Sequence, residues 1–474
     1  MARVVVIGGG LGGLAAAARL AKLGHRVHLV ERGERLGGVL TPVTDDEGLG
    51  FGWDAGPQAT LLPAVLRDLF RKTGRPLEQE LDLVPLPLVR EHRFEDGSSL
   101  RLAGGSRGAQ TEAFEALRPG LGAQWQAYVD AGGDDWEVLR RHYFETPWNP
   151  ERLPAEAAAL LDDRTVLRKR LKRAFRDDRA RLVAGHPHVA DGHDLRNVPA
   201  WAGLVSYLEQ TFGAWTVPSA APGTPCGSSG MAALALALEK RLETRGVVVH
   251  TATTALDLVL GTGGAVVGVR IAATPADPEA PEAPGTPDGP GPTEGAEVLD
   301  ADVVVCAIDP RRLPALARSV ERTMPALPPV VTHLGLRDDP ADPLPDVPSE
   351  VVLHGDPMLV VRTGGCAPAG HQAWTLHARG KIAEELPRAL ARRGLDVRRH
   401  VVTQVDLSPR RLVERWGGSP HGVLWQGRGT VRRRLGPTTP IPGVYAAGAH
   451  ATPGGGVPFV GLSAALVAQV VGPA

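Results

Sequence analysis

The chain has 474 residues, with 52 Lys and Arg balanced by 53 Asp and Glu, so no net field draws it to nucleic acid. Aromatic residues make up only 4%, too few for the stacking platforms that hold single strands. The length supports two or three domains with well-buried cores, and no apolar run of about 18 residues is present to span a bilayer.

The first predicted element is a short strand, Arg3 to Ile7, rich in β-branched residues. It runs into Gly8-Gly9-Gly10-Leu11-Gly12-Gly13 and then a helix beginning Leu14-Ala15-Ala16. Gly8, Gly10 and Gly13 stand in G-x-G-x-x-G register, which provides a tight turn, close backbone approach to a pyrophosphate, and close helix–strand packing. The helix N-terminus then presents N–H groups and partial positive charge to phosphates. A second strand, Val27 to Val30, ends in Glu31, about 20 residues beyond the turn, where a carboxylate accepts from ribose hydroxyls. Such a carboxylate repels a 2′-phosphate, so the candidates are FAD or NAD rather than NADP. No leader pattern precedes Arg3, and a cytoplasmic protein is expected.

Gly37-Gly38-Val39 follows Glu31, and two glycines there let another loop approach the diphosphate. Next come Trp53-Asp54-Ala55-Gly56-Pro57-Gln58, an amphipathic helix from about Leu61 to Thr73, and a hairpin over Leu86–Leu102 turning at Glu95-Asp96-Gly97. Residues 105–222 are mainly helical in pattern. Within them, Arg164 to Leu182 reads as one basic amphipathic helix with Leu167, Leu171 and Phe175 on one face, a candidate for peripheral membrane contact. His186-Pro187-His188, Asp191 and His193 read as a solvated loop without metal-binding spacing. Ser228-Ser229-Gly230 is a candidate cap for a helix over Met231–Arg245. Val247–Val249, Leu258–Leu260 and Ala265–Ile271 suggest a three-stranded meander, and the Pro-, Gly- and Glu-rich 274–297 stretch a flexible extension. Ala301–Ala307 and Gly443–Ala449 are further strands, and Leu462–Val471 a closing helix. Cys226, Cys306 and Cys366 are far apart and form no C-x-x-C, which suits a reducing compartment and argues against a disulfide scaffold or a structural zinc.

With these segments in place, the chain resembles the phytoene desaturase-like branch of the FAD-dependent amine oxidase superfamily. The resemblance rests on the N-terminal glycine turn with Glu31 and Gly37-Gly38. Further matches are Trp53-Asp54-Ala55-Gly56-Pro57, Phe94-Glu95-Asp96-Gly97, Gly230-Met231 and Gly418-Ser419-Pro420-His421-Gly422. At the C-terminal end come Gly443-Val444-Tyr445 to Gly448 and then Pro453–Pro458. It implies an α/β fold: a Rossmann-like, glutathione reductase-like FAD domain (1–90, 223–315, 435–474) interleaved with an α+β substrate domain (91–222, 316–434). It also implies FAD contacts from Gly8, Gly10, Leu11, Gly12, Gly13, Glu31, Arg32, Gly37, Gly38, Val39, Gly56, Pro57, Gln58, Val248, Gly448, Ala449, Val457 and Pro458. The chain departs from the family pattern at Val39, where an Arg is usual, at Gln58, where Ser or Thr is usual, and at Ala451-Thr452-Pro453-Gly454, preceded by His450.

The chemistry implied is hydride transfer from a C–H bond of a small apolar, polyene-like substrate to flavin, with a base to take a proton. Histidine suits that task near neutral pH. His450, in the flavin loop, is the first candidate and His421 the second. A flavin amine oxidase, a redox-neutral isomerase or saturase, and a non-catalytic prenyl-binding module are the alternatives. Tyrosine is scarce, at four residues, which leaves an amine oxidase's aromatic cage poorly supplied.

Overall fold

The computed structural model describes all residues except 46, 148, 150, 219–225, 227–228 and 276–294. The extension expected at 274–297 therefore falls almost wholly outside the described residues, as does most of Ala220–Gly227.

Two sheets organise the molecule. The first is a five-stranded parallel sheet in the order Val444–Ala446, Val303–Cys306, Arg3–Ile7, Arg26–Val30, Val248–His250. Its central strand is Val4-Val5-Val6-Ile7, at most 2% exposed. Parallel strands covered on both faces read as continuous apolar runs. One face packs on the Ala-rich helix Leu11–Lys22 and on Ala232–Thr244 and Val457–Val471. The other packs on the antiparallel three-stranded layer Thr253–Leu260, Val266–Ala273, Glu297–Asp300. The meander therefore differs from the sequence expectation. Val248–His250 pairs with Arg26–Val30 in the main sheet, and the third meander strand lies beyond the Pro-rich stretch.

The second sheet has seven strands, in the order Val401–Leu407, Val330–Arg337, His371–Arg379, Met358–Thr363, Glu350–Leu353, Leu88–Arg93, Ser99–Ala103. All neighbours are antiparallel except Glu350–Leu353 with Leu88–Arg93. Leu334, Val351, Leu353, Leu359, Val361 and Trp374 bury one face. A helical layer built from segments between Arg107 and Phe212 encloses its own core around Phe114, Trp125, Tyr143 and Phe175.

Several local expectations need correction. The basic segment is two helices, Leu167–Ala174 and Asp178–Ala190, broken at Phe175–Asp177 where the Asp177 side chain caps the second. Its stripe, Leu167, Leu171 and Phe175, is buried in the helical core, so it presents no apolar face to a bilayer. His186 and His188 are buried within Asp178–Ala190 rather than on a solvated loop. Pro187 sits in that helix's last turn, where a proline ring removes only one N–H. The helix Ala232–Thr244 starts from Met231 with no side-chain cap. The closing helix begins at Val457, five residues earlier than its apolar pattern suggested. Cys226 and Cys366 form a disulfide, with Cα atoms 5.5 Å apart. Sequence spacing could not reveal it, because the two cysteines are 140 residues apart in the chain and only folding brings them together. No helix among the described residues is long and apolar enough to cross a membrane.

Candidate active site

The glycine turn takes its shape from sterics. Gly8 has φ +104°, and a methyl on Gly13 would overlap the Gly8 carbonyl. A Cβ on Gly10 would meet nothing closer than Gly38 Cα at 3.9 Å, so this side of the turn is open. The helix Leu11–Lys22 begins at Gly10 with no side-chain cap and no acid in its first turn. Its N-terminal N–H groups are therefore oriented for an anion. Gly37, at φ +118°, lies beside the turn, its N–H donating to Gly9 O at 2.8 Å. A Cβ on Gly12 would come within 2.7 Å of Gly448 Cα, so the two ends of the chain meet here.

Glu31 accepts from the Gly9 and Gly33 N–H groups, each at 2.7 Å. A carboxylate has about four acceptor positions, so capacity for ribose hydroxyls remains. The Arg32 guanidinium is directed elsewhere, donating to the Glu414 and Arg415 carbonyls at the end of Pro409–Trp416; a cation is favoured at a helix C-terminus. Val248 also differs from expectation. It is the first residue of its strand, pairs with His28, and is 48% exposed, whereas ligands of parallel sheets lie beyond the strands' carboxyl ends. The carboxyl end here is His250, whose carbonyl accepts from Glu31 N. The Val39 carbonyl packs on Gly56 so closely that a Cβ there would overlap it.

Beyond this region lies a cavity of about 430 Å³ lined by Pro57, Gln58 and the Pro453–Pro458 segment, a size suited to small-molecule sites. The N-terminus of Val457–Val471 opens onto it, again without a side-chain cap or a first-turn acid. Phe144, Trp201, Trp425 and Phe459 form an aromatic wall, with Trp201 edge-on to Trp425 at 5.6 Å between centroids and Phe144 5.4 Å from Phe459. Tyr445 takes no part; it packs into the nucleotide-binding core.

The two candidate bases separate. His450 does not line the cavity. It is 7% exposed, its Nε2 lies 3.0 Å from the Ser419 carbonyl, and its Nδ1 is 3.8 Å from Asp309. Burial lowers its pKa, only partly opposed by Asp309. Its place in the glycine-rich loop says nothing of side-chain direction, and the side chain points to the back of that loop. His421 lines the cavity, with Nδ1 2.9 Å from Asp191 Oδ1. The low-dielectric surroundings disfavour the Asp191 carboxylate, although its side chain is 53% exposed, and His421, His193 and His188 outweigh that and hold the carboxyl well below the usual range. The neighbouring His193 is pushed down to about 3, chiefly by burial, and is neutral at physiological pH.

Sequence reasoning missed the opposite side of the cavity. Along Leu88–Arg93, Glu350–Leu353 and Met358–Thr363, alternate residues face opposite ways, and those facing the cavity include Arg90, Glu350 and Arg362. Arg90 Nη2 donates to Glu209 at 2.5 Å and its Nε to Glu350 at 3.0 Å, while Arg362 Nε donates to Glu350 at 2.8 Å. Burial disfavours the Glu350 carboxylate, but Arg362 and Arg90 bring its pKa down to about 2. Asp54, also on the cavity, is pushed up to about 6 by burial despite Arg362. The available signal was polar residues two apart in a strand, as in Arg90 and His92 of Leu88–Arg93.

Residues 6–73 match the family model described as an NAD(P)-binding Rossmann-like domain. The whole chain is similar to bacterial carotenoid desaturases and oxygenases. Hydroxyneurosporene desaturase of Cereibacter sphaeroides is 28% identical over 99% of this chain and 97% of its own length. The 4,4'-diapolycopene oxygenase of a Methylomonas species is 25% identical over 98% of this chain and 97% of that protein. A neurosporene-forming phytoene desaturase of C. sphaeroides is 30% identical over 57% of this chain, a match spanning half (50%) of that relative. Among solved structures, a putrescine oxidase variant aligns with TM-score 0.68 at 15% identity over 99% of this chain and 98% of that one. Cyclohexylamine oxidase of Brevibacterium oxydans aligns with TM-score 0.61 at 15% identity over 99% of each. The chain shares the fold of these two amine oxidases.

Proposed function

We propose that this chain is an FAD-dependent oxidoreductase that desaturates an apolar, polyene-like substrate. The observation that carries the reading is the cavity. It joins the glycine-rich 453–458 segment, an aromatic wall and a carboxylate-paired histidine in one space. Similarity to named carotenoid desaturases along the full chain supports it.

The residues present fit FAD. The open side of the turn at Gly10 and the uncapped start of Leu11–Lys22 suit its diphosphate, and Glu31 suits a ribose. Gly448, Ala449, Val457 and Pro458 would hold the flavin end. When bound, FAD supplies a flat acceptor for hydride. The chain's own work is to position and to move a proton. Phe144, Trp201, Trp425 and Phe459 pack on a hydrocarbon chain and exclude water. His421 Nδ1 donates to the Asp191 carboxylate, which leaves Nε2 as the basic nitrogen, and Nε2 takes the proton lost as the double bond forms.

Purification tests this reading directly. The protein is expected to carry, or to be reconstituted with, one FAD per chain, and to convert a polyene with consumption of one electron acceptor per double bond. Turnover with no net acceptor would identify an isomerase. A preparation that FAD cannot reconstitute would overturn the proposal.

A further inference from the structure

Three arginines line the cavity: Arg90, Arg362 and Arg434. Two are matched by acids, Arg90 by Glu209 and Glu350, and Arg362 by Glu350. Arg434 is 7% exposed, and among the described residues no carboxylate acts on its charge. The ionisable group that favours its charged form is Tyr143, whose phenol burial holds above the ordinary range, so that it is neutral near pH 7. The guanidinium is fixed in place. Its Cζ lies 4.9 Å from the Trp425 ring centroid, Nη1 donates to the Pro453 carbonyl, and Nη2 donates to the Val423 carbonyl at 3.5 Å. A Cβ on Gly454 would come within 2.8 Å of Nη1. With both Nη groups engaged, Arg434 offers the cavity charge rather than a free donor. A buried cation without a counter-ion is costly. It lies against the same Pro453–Pro458 segment at which the uncapped helix Val457–Val471 begins, a second source of positive charge.

We infer that Arg434 is the resident counter-cation for the negative charge that FAD gains on reduction, a positioning residue lodged behind the Pro453–Pro458 loop. This rests on the reading of the cavity as an FAD site. Desaturation breaks two C–H bonds and forms one C=C bond. One hydrogen leaves as hydride and brings FAD two electrons and one proton; the other leaves as a proton to His421. The flavin ring, neutral when oxidised, therefore ends with one negative charge unless a second proton follows. A fixed cation beside it holds that charge and makes the ring a stronger hydride acceptor. The other titratable groups that feel Arg434 are His193 and His450. Burial lowers both, and Arg434 lowers them further, so the fixed charge at this end of the cavity is that of Arg434.

The experiment measures the midpoint potential of FAD bound to the full-length protein, anaerobically and against redox dyes, as pH is raised from neutral. If the reduced ring stays anionic, two electrons enter with one proton, and a tenfold change in proton concentration moves the potential by about 30 mV; two protons would double that. The native protein is expected to show the smaller slope. Arg434→Met keeps a long side chain on Trp425 and removes the charge. It should make reduction roughly tenfold less favourable, about 30 mV lower, and steepen the slope toward two protons. Arg434→Lys keeps the cation and should hold potential and slope near native, which a purely structural role of the bonds to Pro453 and Val423 does not give. Repeating the slope in His421→Ala excludes a proton taken up by that ring. A two-proton native slope, native behaviour in Arg434→Met, or a loss in Arg434→Lys equal to that in Arg434→Met would each overturn the inference while FAD binding and desaturation stand. The native slope and Arg434→Lys decide the matter even where Arg434→Met does not fold. A chain that takes up no FAD takes down the proposed function as well.

Discussion

The two main sheets treat their faces in opposite ways. The parallel sheet is apolar on both sides, and what it offers a ligand is backbone: a glycine turn, helix N-termini, and close approach of Gly12 to Gly448. The seven-stranded sheet is apolar throughout on one side, and toward the cavity it carries Arg90, Glu350 and Arg362, paired among themselves and with Glu209 of the helix Val205–Phe212. A nucleotide, constant across many enzymes, can be held by N–H groups that any sequence possesses. A particular substrate must be told from others, and that requires side chains. The contrast makes the two regions differ in what a mutation does.

The largest effect is expected in the charged face. Arg90→Ala leaves Glu209 buried without its cation and Glu350 with Arg362 alone, and should cost about 3–5 kcal/mol of stability, read from denaturant unfolding. A loss below about 1 kcal/mol would mean that water already solvates the pair. Next is His421→Ala, expected to slow flavin reduction by roughly 100-fold, the lower range for a lost general base, with FAD retained. His450→Ala should change that rate only a few-fold, since its side chain turns to Ser419 and Asp309. Equal losses in both would break the assignment of roles.

On the nucleotide side, Gly13→Ala drives a methyl into the Gly8 carbonyl. It should cost about 1–3 kcal/mol and lower the FAD-to-protein absorbance ratio. The smallest effect is a pH dependence. The Asp54 carboxyl has a folded pKa of about 6 against an ordinary 3.8, so the folded chain holds the proton more tightly than the unfolded one. Stability from this group is present below 3.8 and declines as pH rises to about 6. Asp54→Asn should therefore raise the melting temperature at pH 7–8 and leave it nearly unchanged at pH 4.

The same contrast explains what could be read before folding. Gly8, Gly10, Gly13 and Glu31 sit within one short unit, where chain neighbours are also spatial neighbours. Pairs such as Asp191 with His421, Arg90 with Glu350 and Cys226 with Cys366 come from distant segments. No local pattern joins them. His450 misled for a related reason, because its backbone belongs to the glycine-rich loop while its ring does not face the cavity. Pro187 likewise suggested a loop, although the helix continues through it. The stripe of Leu167, Leu171 and Phe175 was correctly seen as apolar, but periodicity cannot say whether lipid or a protein core covers it.

In the proposed function, a polyene, FAD and the His421–Asp191 pair meet in one cavity. The decisive experiment is anaerobic mixing of the FAD-loaded protein with a polyene, followed by absorbance. The flavin band should bleach as a red-shifted product chromophore appears, slowed by His421→Ala and little affected by His450→Ala. A flavin that stays oxidised with every polyene offered, in a protein that binds those polyenes, would contradict it.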